Sequence, residues 1–358
     1  MDFRARQAKL REHLATTRFD GLLISHLPNI RYLCGFTGSA GLLLVEESRS
    51  IFFTDNRYDT QAHEEVKAAK VIIAPKSLLL ELADFLGRRR RCVIGIEAEH
   101  FTVAEKKRLT KLSPAGVSFK DAPSVVERAR MVKDEDELKR IRAAVSLGAK
   151  LFERAVEVLR PGIKEVEIAA EMELTARRAG AGEMSFPTII ASGARSALPH
   201  GRASEQAVPR GAFVVCDFGV ILSGYCSDQT RTVWVGKSTD DARSAYEAVR
   251  EAQQAAIDAV RPGIPVGDVD AAARKVLTKA GLGKYFTHST GHGVGLEIHE
   301  SPRVADGQRE ILQSGMVITI EPGVYFPGKW GVRIEDMVVV TAGGCEVLTP
   351  TSKEFLAV

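Results

Sequence analysis

Three carboxylates interrupt stretches that otherwise look like buried strands. Asp217 sits inside FVVCDFGV (213–220), Glu321 ends the apolar run of VITIEPG (317–323), and Glu335, followed by Asp336, splits GVRIEDMVVV (331–340). A carboxylate among apolar strand residues costs several kcal/mol unless it is paired, protonated or bound to a metal. Strand interiors are also depleted in Asp and Glu, so each one is informative. Spacing adds a fourth. Asp217 and Asp228 flank ILSGY (221–225), where Gly224 is free to adopt φ > 0. An antiparallel hairpin centred there brings the two Asp nearly opposite. Glu321 and Glu335 flank Pro327-Gly328-Lys329 in the same manner. Opposed residues on one face have Cβ atoms about 5 Å apart. Two carboxylate pairs at that separation repel and cannot all ionise unaided. Two divalent cations match four carboxylates in charge and remove the conflict.

The stretch TGHGVGLEIHE (290–300) supplies a complement. Its glycines do not follow the G-x-G-x-x-G dinucleotide pattern. Its histidines, seven apart, do not follow the H-E-x-x-H pattern of a helical zinc site. Glycines on both sides let the backbone pass close to the acidic cluster, and His292 offers one neutral nitrogen ligand. Four carboxylates and one imidazole form a hard, oxygen-rich set without thiolates. It suits Mn²⁺ or Co²⁺, with Fe²⁺ or Zn²⁺ as alternatives. His299 is then free to act on a substrate.

Elements must bring these residues together. In the first third, short apolar runs at 21–26, 41–45, 50–54 and 71–74 read as strands, and CVIGI (92–96) as another. Helical spacing covers 2–18 and 78–87, giving a compact α/β domain with a mixed sheet. Around 113–130 the chain turns polar, with Pro114 and Pro123. The expected division is therefore an N-terminal domain over 1–124 and a catalytic domain over 125–358. In the second part, helices are expected over 132–162, 164–180, 241–260 and 266–280, and strands over 187–192, 212–220, 230–236, 316–323 and 332–341. RPGI occurs at 160–163 and again at 261–264, each time leading into a helix and then sheet. This points to an internal duplication of an ααβ unit.

Composition narrows the class. The 358 residues are 45% hydrophobic and 27% charged, with a net charge of +3. That is ordinary globular usage, with no strong field for nucleic acid or an anionic membrane surface. The basic run RRRR (88–91) reads as a solvated loop. Five cysteines without a C-x-x-C pair suggest reduced thiols, and the charged N-terminus has no signal-peptide character. No uncharged apolar stretch reaches 18 residues, so no membrane span is expected. A cytoplasmic protein follows as the expectation.

Taken together, DFG (217–219), SDQTRT (227–232), TGHGVGLEIHE (290–300), TIEPGVY (319–325) and GVRIED (331–336) resemble the pita-bread metallopeptidases. YLCGFTGSAG (32–41) and FTDNRYDTQA (53–62) resemble the creatinase/prolidase-type N-terminal domain that precedes that fold. The resemblance implies an α/β (α+β) architecture with a pita-bread catalytic domain and two divalent metal ions. It implies Asp217, Asp228, His292, Glu321 and Glu335 as metal ligands, with Asp228 and Glu335 shared between the ions. Glu321 would also move a proton, His299 would bond the developing oxyanion, and His200, in ALPHG (197–201), would contact substrate. The presence of the N-terminal domain disfavours methionine aminopeptidase, and the ligand set disfavours the metal-free creatinases. What remains implied is hydrolysis of the bond before proline, whose imide lacks an N–H and escapes general peptidases. The resemblance leans towards an Xaa-Pro dipeptidase, with an Xaa-Pro aminopeptidase acting on longer peptides as the alternative. A dipeptidase needs a cation for the free carboxylate of its substrate, and Arg303 and Arg333 are the candidates. A homodimer is also implied. From a different class, the fold could serve as a catalytically silent peptide-binding protein.

Overall fold

The computed structural model describes residues 1–89 and 91–358. Arg90, within the basic run 88–91, lies outside the described residues. The chain divides into two compact units, Met1–Arg130 and Met131–Val358.

The first unit is built on a six-stranded mixed sheet. The strand Gly21–Ile24 lies near its middle, antiparallel to Leu42–Glu46 on one side and parallel to Cys92–Glu97 on the other. Ser50–Asp55 and Lys70–Ala74 extend one edge. The helices Leu78–Leu86 and Val103–Leu112 cover one face of this sheet, where Leu23, Leu44, Phe53 and Ile94 are wholly buried. The polar stretch 113–130 is not a simple connector. It contains the edge strand Val117–Ala122, parallel to Cys92–Glu97, and the helix Val125–Met131. The alternation Val117-Ser118-Phe119-Lys120, buried and exposed in turn, is the mark of an edge strand that buries one face, and it was available in the sequence.

The second unit carries the duplication in its backbone. The helix pair Glu135–Val158 and Glu165–Arg178 leads into a sheet containing Ile189–Ser192, Ala212–Phe218 and Gln229–Val235. The pair Asp240–Ala259 and Val266–Lys279 leads into a second sheet, with Gly291–Gly293, Val317–Ile320 and Asp336–Val340. Asp134 and Glu137 cap the first helix reciprocally. The two RPGI turns match in dihedral angle and hydrogen bonding. Gly162 and Gly263 have φ of 87° and 88°. Gly162 N donates to Val208 O and Gly263 N to Leu312 O, while Val208 N and Leu312 N donate back to Ile163 O and Ile264 O. Isolated bridges follow, Lys164 with Ala207 and Pro265 with Ile311. Each half has its own apolar core, one around Leu151, Met172 and Phe218, the other around Val249, Val269 and Ile318.

Candidate metal centre

The acidic residues meet where the two sheets of the second unit converge. Glu335 N donates to Thr230 O, tying the end of one hairpin to the start of the other sheet's strand. The Glu321/Glu335 hairpin follows the expected register. Gly323 pairs with Arg333 on one side of the acids and Ile320 with Asp336 on the other, so Glu321 lies opposite Glu335. The Asp217/Asp228 hairpin is displaced. Its turn is the two-residue Ser223-Gly224, with φ of 51° and 85°, the primed turn that suits strand twist. Leu222 consequently pairs with Tyr225 and Asp217 with Thr230. Asp217 and Asp228 are therefore diagonal neighbours on one face, not directly opposed.

Asp228, His292 and Glu335 offer ligand atoms that all lie within 4.8 Å of one another. The His292 Nε2 is 3.5 Å from Asp228 Oδ2 and 3.6 Å from Glu321 Oε1. Two ligands each about 2.1 Å from one ion are separated by about 3 to 3.5 Å, so these spacings suit shared coordination. The ring nitrogen Nδ1 lies 3.0 Å from Gly293 O. With the proton there, Nε2 presents its lone pair to the acids. The glycines beside it are sterically required. A Cβ at Gly291 would collide with the Thr319 carbonyl, and one at Gly293 with that of Ser301.

Electrostatics shows a site short of positive charge. Burial, and then the charges of Glu335, Asp217 and Glu321, push the Asp228 carboxyl well above its ordinary range. Burial followed by Glu321 and Asp217 does the same to Glu335. Burial raises Glu321 to about 8. His292 falls to about 4, through burial and then the neighbouring His299, which keeps its imidazole neutral. Asp217 Oδ1 is buried and has no hydrogen-bond partner among the described residues, although its Oδ2 accepts from Arg333 at 2.5 Å. An orphaned carboxylate oxygen beside protonated acids fits a cation-binding pocket.

The surrounding shell is arranged to hold these ligands. Thr230 Oγ1 donates to Glu335 Oε2 at 2.8 Å. Arg333, almost wholly buried, donates to Thr230 Oγ1, Pro199 O, the Tyr325 hydroxyl and Asp217. Most of its fork is thus spent on Asp217 and its neighbours. Asp336, the other acid of the pair in GVRIED, serves structure. It is fully buried and bonded to Arg231, Lys353 and Gln253.

Three histidines surround this cluster. The ring of His299 contacts that of His292, with centroids 4.4 Å apart. Partial burial, and then the neighbouring His200, lower its pKa. His200 is exposed. His288 escaped sequence reading. Its Nε2 is 2.9 Å from the Tyr325 hydroxyl, and burial lowers it to about 4. Its position four residues before His292, in the loop leading into the strand Gly291–Gly293, was the available signal. That loop is held by the wholly buried Asp270, which accepts from Thr290 N, Thr290 Oγ1 and Arg274, while Arg274 donates to His288 O. Arg303 is exposed on the strand Glu300–Val304, directly across from His292.

Residues 139–342 match the model of metallopeptidase family M24, and residues 6–132 match the creatinase/prolidase N-terminal domain. The chain is 37% identical to an Xaa-Pro dipeptidase of Pyrococcus horikoshii over 97% of each protein. The solved structure of an Xaa-Pro dipeptidase from Bacillus anthracis superimposes with a TM-score of 0.95 at 36% identity, covering 100% of both chains. An X-Pro aminopeptidase from Thermotoga maritima superimposes with a TM-score of 0.90 at 35% identity, over 98% of this chain and 100% of the other.

Proposed function

This chain belongs to metallopeptidase family M24, and on that footing we propose that it is an Xaa-Pro dipeptidase working with two divalent cations. The observation that carries the metal assignment is the orphaned Asp217 oxygen beside the Asp228, His292 and Glu335 cluster. Asp217, Asp228, His292, Glu321 and Glu335 are the proposed ligands, and Mn²⁺ or Co²⁺ the proposed metals, since the set is oxygen-rich and lacks thiolate. A silent peptide-binding protein would have no use for such an array of mutually repelling acids.

Bound cations would acidify a water and polarise the carbonyl before proline. The protein's own residues do the rest. Glu321 is placed to accept a proton at its carboxylate and return it to the leaving imide nitrogen. His299, held neutral, hydrogen-bonds the carbonyl oxygen as charge develops on it. His200 contacts the substrate from the opposite wall. Arg303, directly across from His292, takes the free carboxylate of the dipeptide. Arg333 is assigned to Asp217, since most of its fork is already engaged.

The Thermotoga relative's name keeps the aminopeptidase reading as the alternative, and one assay separates the two. Manganese-loaded protein should show a higher kcat/KM on an Xaa-Pro dipeptide than on the matching Xaa-Pro-Yaa tripeptide. A strong tripeptide preference would replace the dipeptidase by the aminopeptidase. Within the same assay, Arg303→Ala should raise KM for the dipeptide about ten-fold, the loss expected for one charged hydrogen bond at an exposed site. The tripeptide, whose carboxylate lies elsewhere, should change little; equal effects would remove Arg303 from the carboxylate role.

Among the described residues no helix is long and apolar enough to cross a membrane. We place the protein in the cytoplasm, where its five free cysteines would stay reduced. We also propose a homodimer, which sedimentation at micromolar concentration would test.

A further inference from the structure

We infer that Glu165 is a positioning residue for His200, acting by closing both ends of the loop that carries it. The inference rests on the proposal that His200 contacts substrate.

Glu165 is the first residue of the Glu165–Arg178 helix and is wholly buried. Its Oε1 accepts from Ser192 N at 2.7 Å and Ser192 Oγ at 2.9 Å. Its Oε2 accepts from Ser204 N at 3.1 Å, Ser204 Oγ at 2.6 Å and Arg195 Nε at 3.0 Å. Ser192 and Ser204 bracket the loop containing Pro199-His200. One carboxylate thus pins each leg of the loop with a different oxygen, and Arg195 braces the inside by donating to Arg202 O at 2.6 Å. The crest is fixed separately, since Ser196 Oγ accepts from Gly331 N and Pro199 O accepts from Arg333. Among the described residues the His200 ring has no hydrogen-bond partner of its own. Its place is therefore set by its backbone, whose crest Gly331 and Arg333 hold and whose two legs Glu165 ties.

A buried acid at a helix start could serve only the helix dipole. The internal repeat argues against that. Glu165 N donates to Gln206 O, and at the corresponding place Val266 N donates to Glu310 O. The equivalent of Glu165 is thus Val266, equally buried and apolar. The repeat builds the same turn and helix start without a carboxylate.

The test is a double-mutant cycle on manganese-loaded protein with an Xaa-Pro dipeptide. Glu165→Gln keeps the volume but faces one pair of donors with an NH₂ group, so one leg must let go. Alone it should lower kcat/KM about 10- to 100-fold, as loss of an orienting partner does, with metal content unchanged. In a His200→Ala background it should have almost no further effect, because the group it positions is gone. Multiplicative losses in the double variant would overturn the inference while leaving His200 in its role. A His200→Ala variant with wild-type kcat/KM would overturn both. Should Glu165→Gln fail to fold, Ser204→Ala, which removes one hydroxyl donor and leaves the acid buried with its other bonds, runs the same cycle: a smaller loss that vanishes with His200→Ala supports the inference, and an undiminished one overturns it.

Discussion

Asp228→Asn abolishes metal loading and lowers peptidase activity on the order of 10³-fold or more, yet leaves the metal-free protein at least as stable as wild type. The first half follows from ligation. Asp228 sits within coordination range of His292 and Glu335, and a neutral amide neither offsets cationic charge nor shares it between two ions. Losses from merely orienting groups reach about 100-fold, so removal of Asp228, proposed above as a ligand, should exceed them. The second half follows from repulsion. Asp228 is buried, and its carboxyl is raised first by desolvation and then by the charges of Glu335, Asp217 and Glu321. Asparagine keeps the shape and removes one member of that repelling set. Metal analysis after dialysis, a dipeptide assay and a melting curve in chelator check the claim together. Full metal content with retained activity would take Asp228 out of the centre. A large drop in chelator-treated melting temperature would show that its charge serves the fold.

How much of this arrangement could be read from residues depended on whether a turn had one plausible centre. Pro327-Gly328-Lys329 has one, and Glu321 lies opposite Glu335 as its spacing requires. ILSGY offered several. The chain chose Ser223-Gly224, where both residues adopt positive φ, and that shift of one position in the turn moves every pair by two residues. The aggregate survives the error because a two-residue slip keeps Asp217 and Asp228 on one face. The supporting shell was less legible. Arg333 looks like a substrate cation in sequence, and only folding reveals that Tyr325, Thr230, Pro199 and Asp217 take up its donors. Glu165 opens an ordinary amphipathic helix in sequence, and its bonds to Ser192 and Ser204 join segments brought together by the sheet. Residues that act through others carry no local signature, because their partners are set by tertiary contact.

The same repelling acids predict that, without metal, the protein loses stability as pH rises from about 6.5 to about 8. A carboxyl whose folded pKa is raised binds its proton more tightly folded than unfolded. Between its two values the folded state holds more protons, and stability falls with rising pH. Glu321 moves from 4.5 to about 8, and Asp228 and Glu335 shift in the same direction. The buried histidines oppose this at lower pH. His288 and His292 fall from 6.5 to about 4, so the unfolded chain takes up more protons between those values and stability there rises with pH. The contribution of these histidines, and of His299, which shifts the same way, fades above about 6.5 as the unfolded imidazoles finish titrating, and the three carboxyls outweigh it. Over that window Glu321 loses about 2 kcal/mol, at about 1.4 kcal/mol per unit. Divalent cations invert the sign, since they bind deprotonated ligands and their affinity grows with pH. At about 1,000 times Kd they add about 4 kcal/mol, or roughly ten degrees of melting temperature for a unit of this size. Melting curves in chelator and in excess Mn²⁺, at pH 6.5 and 8, should therefore diverge, with the metal-induced rise larger at pH 8. A chelated melting temperature that climbs over this interval, or a manganese effect equal at both pH values, would mean that the acids are neutralised by something other than bound cations.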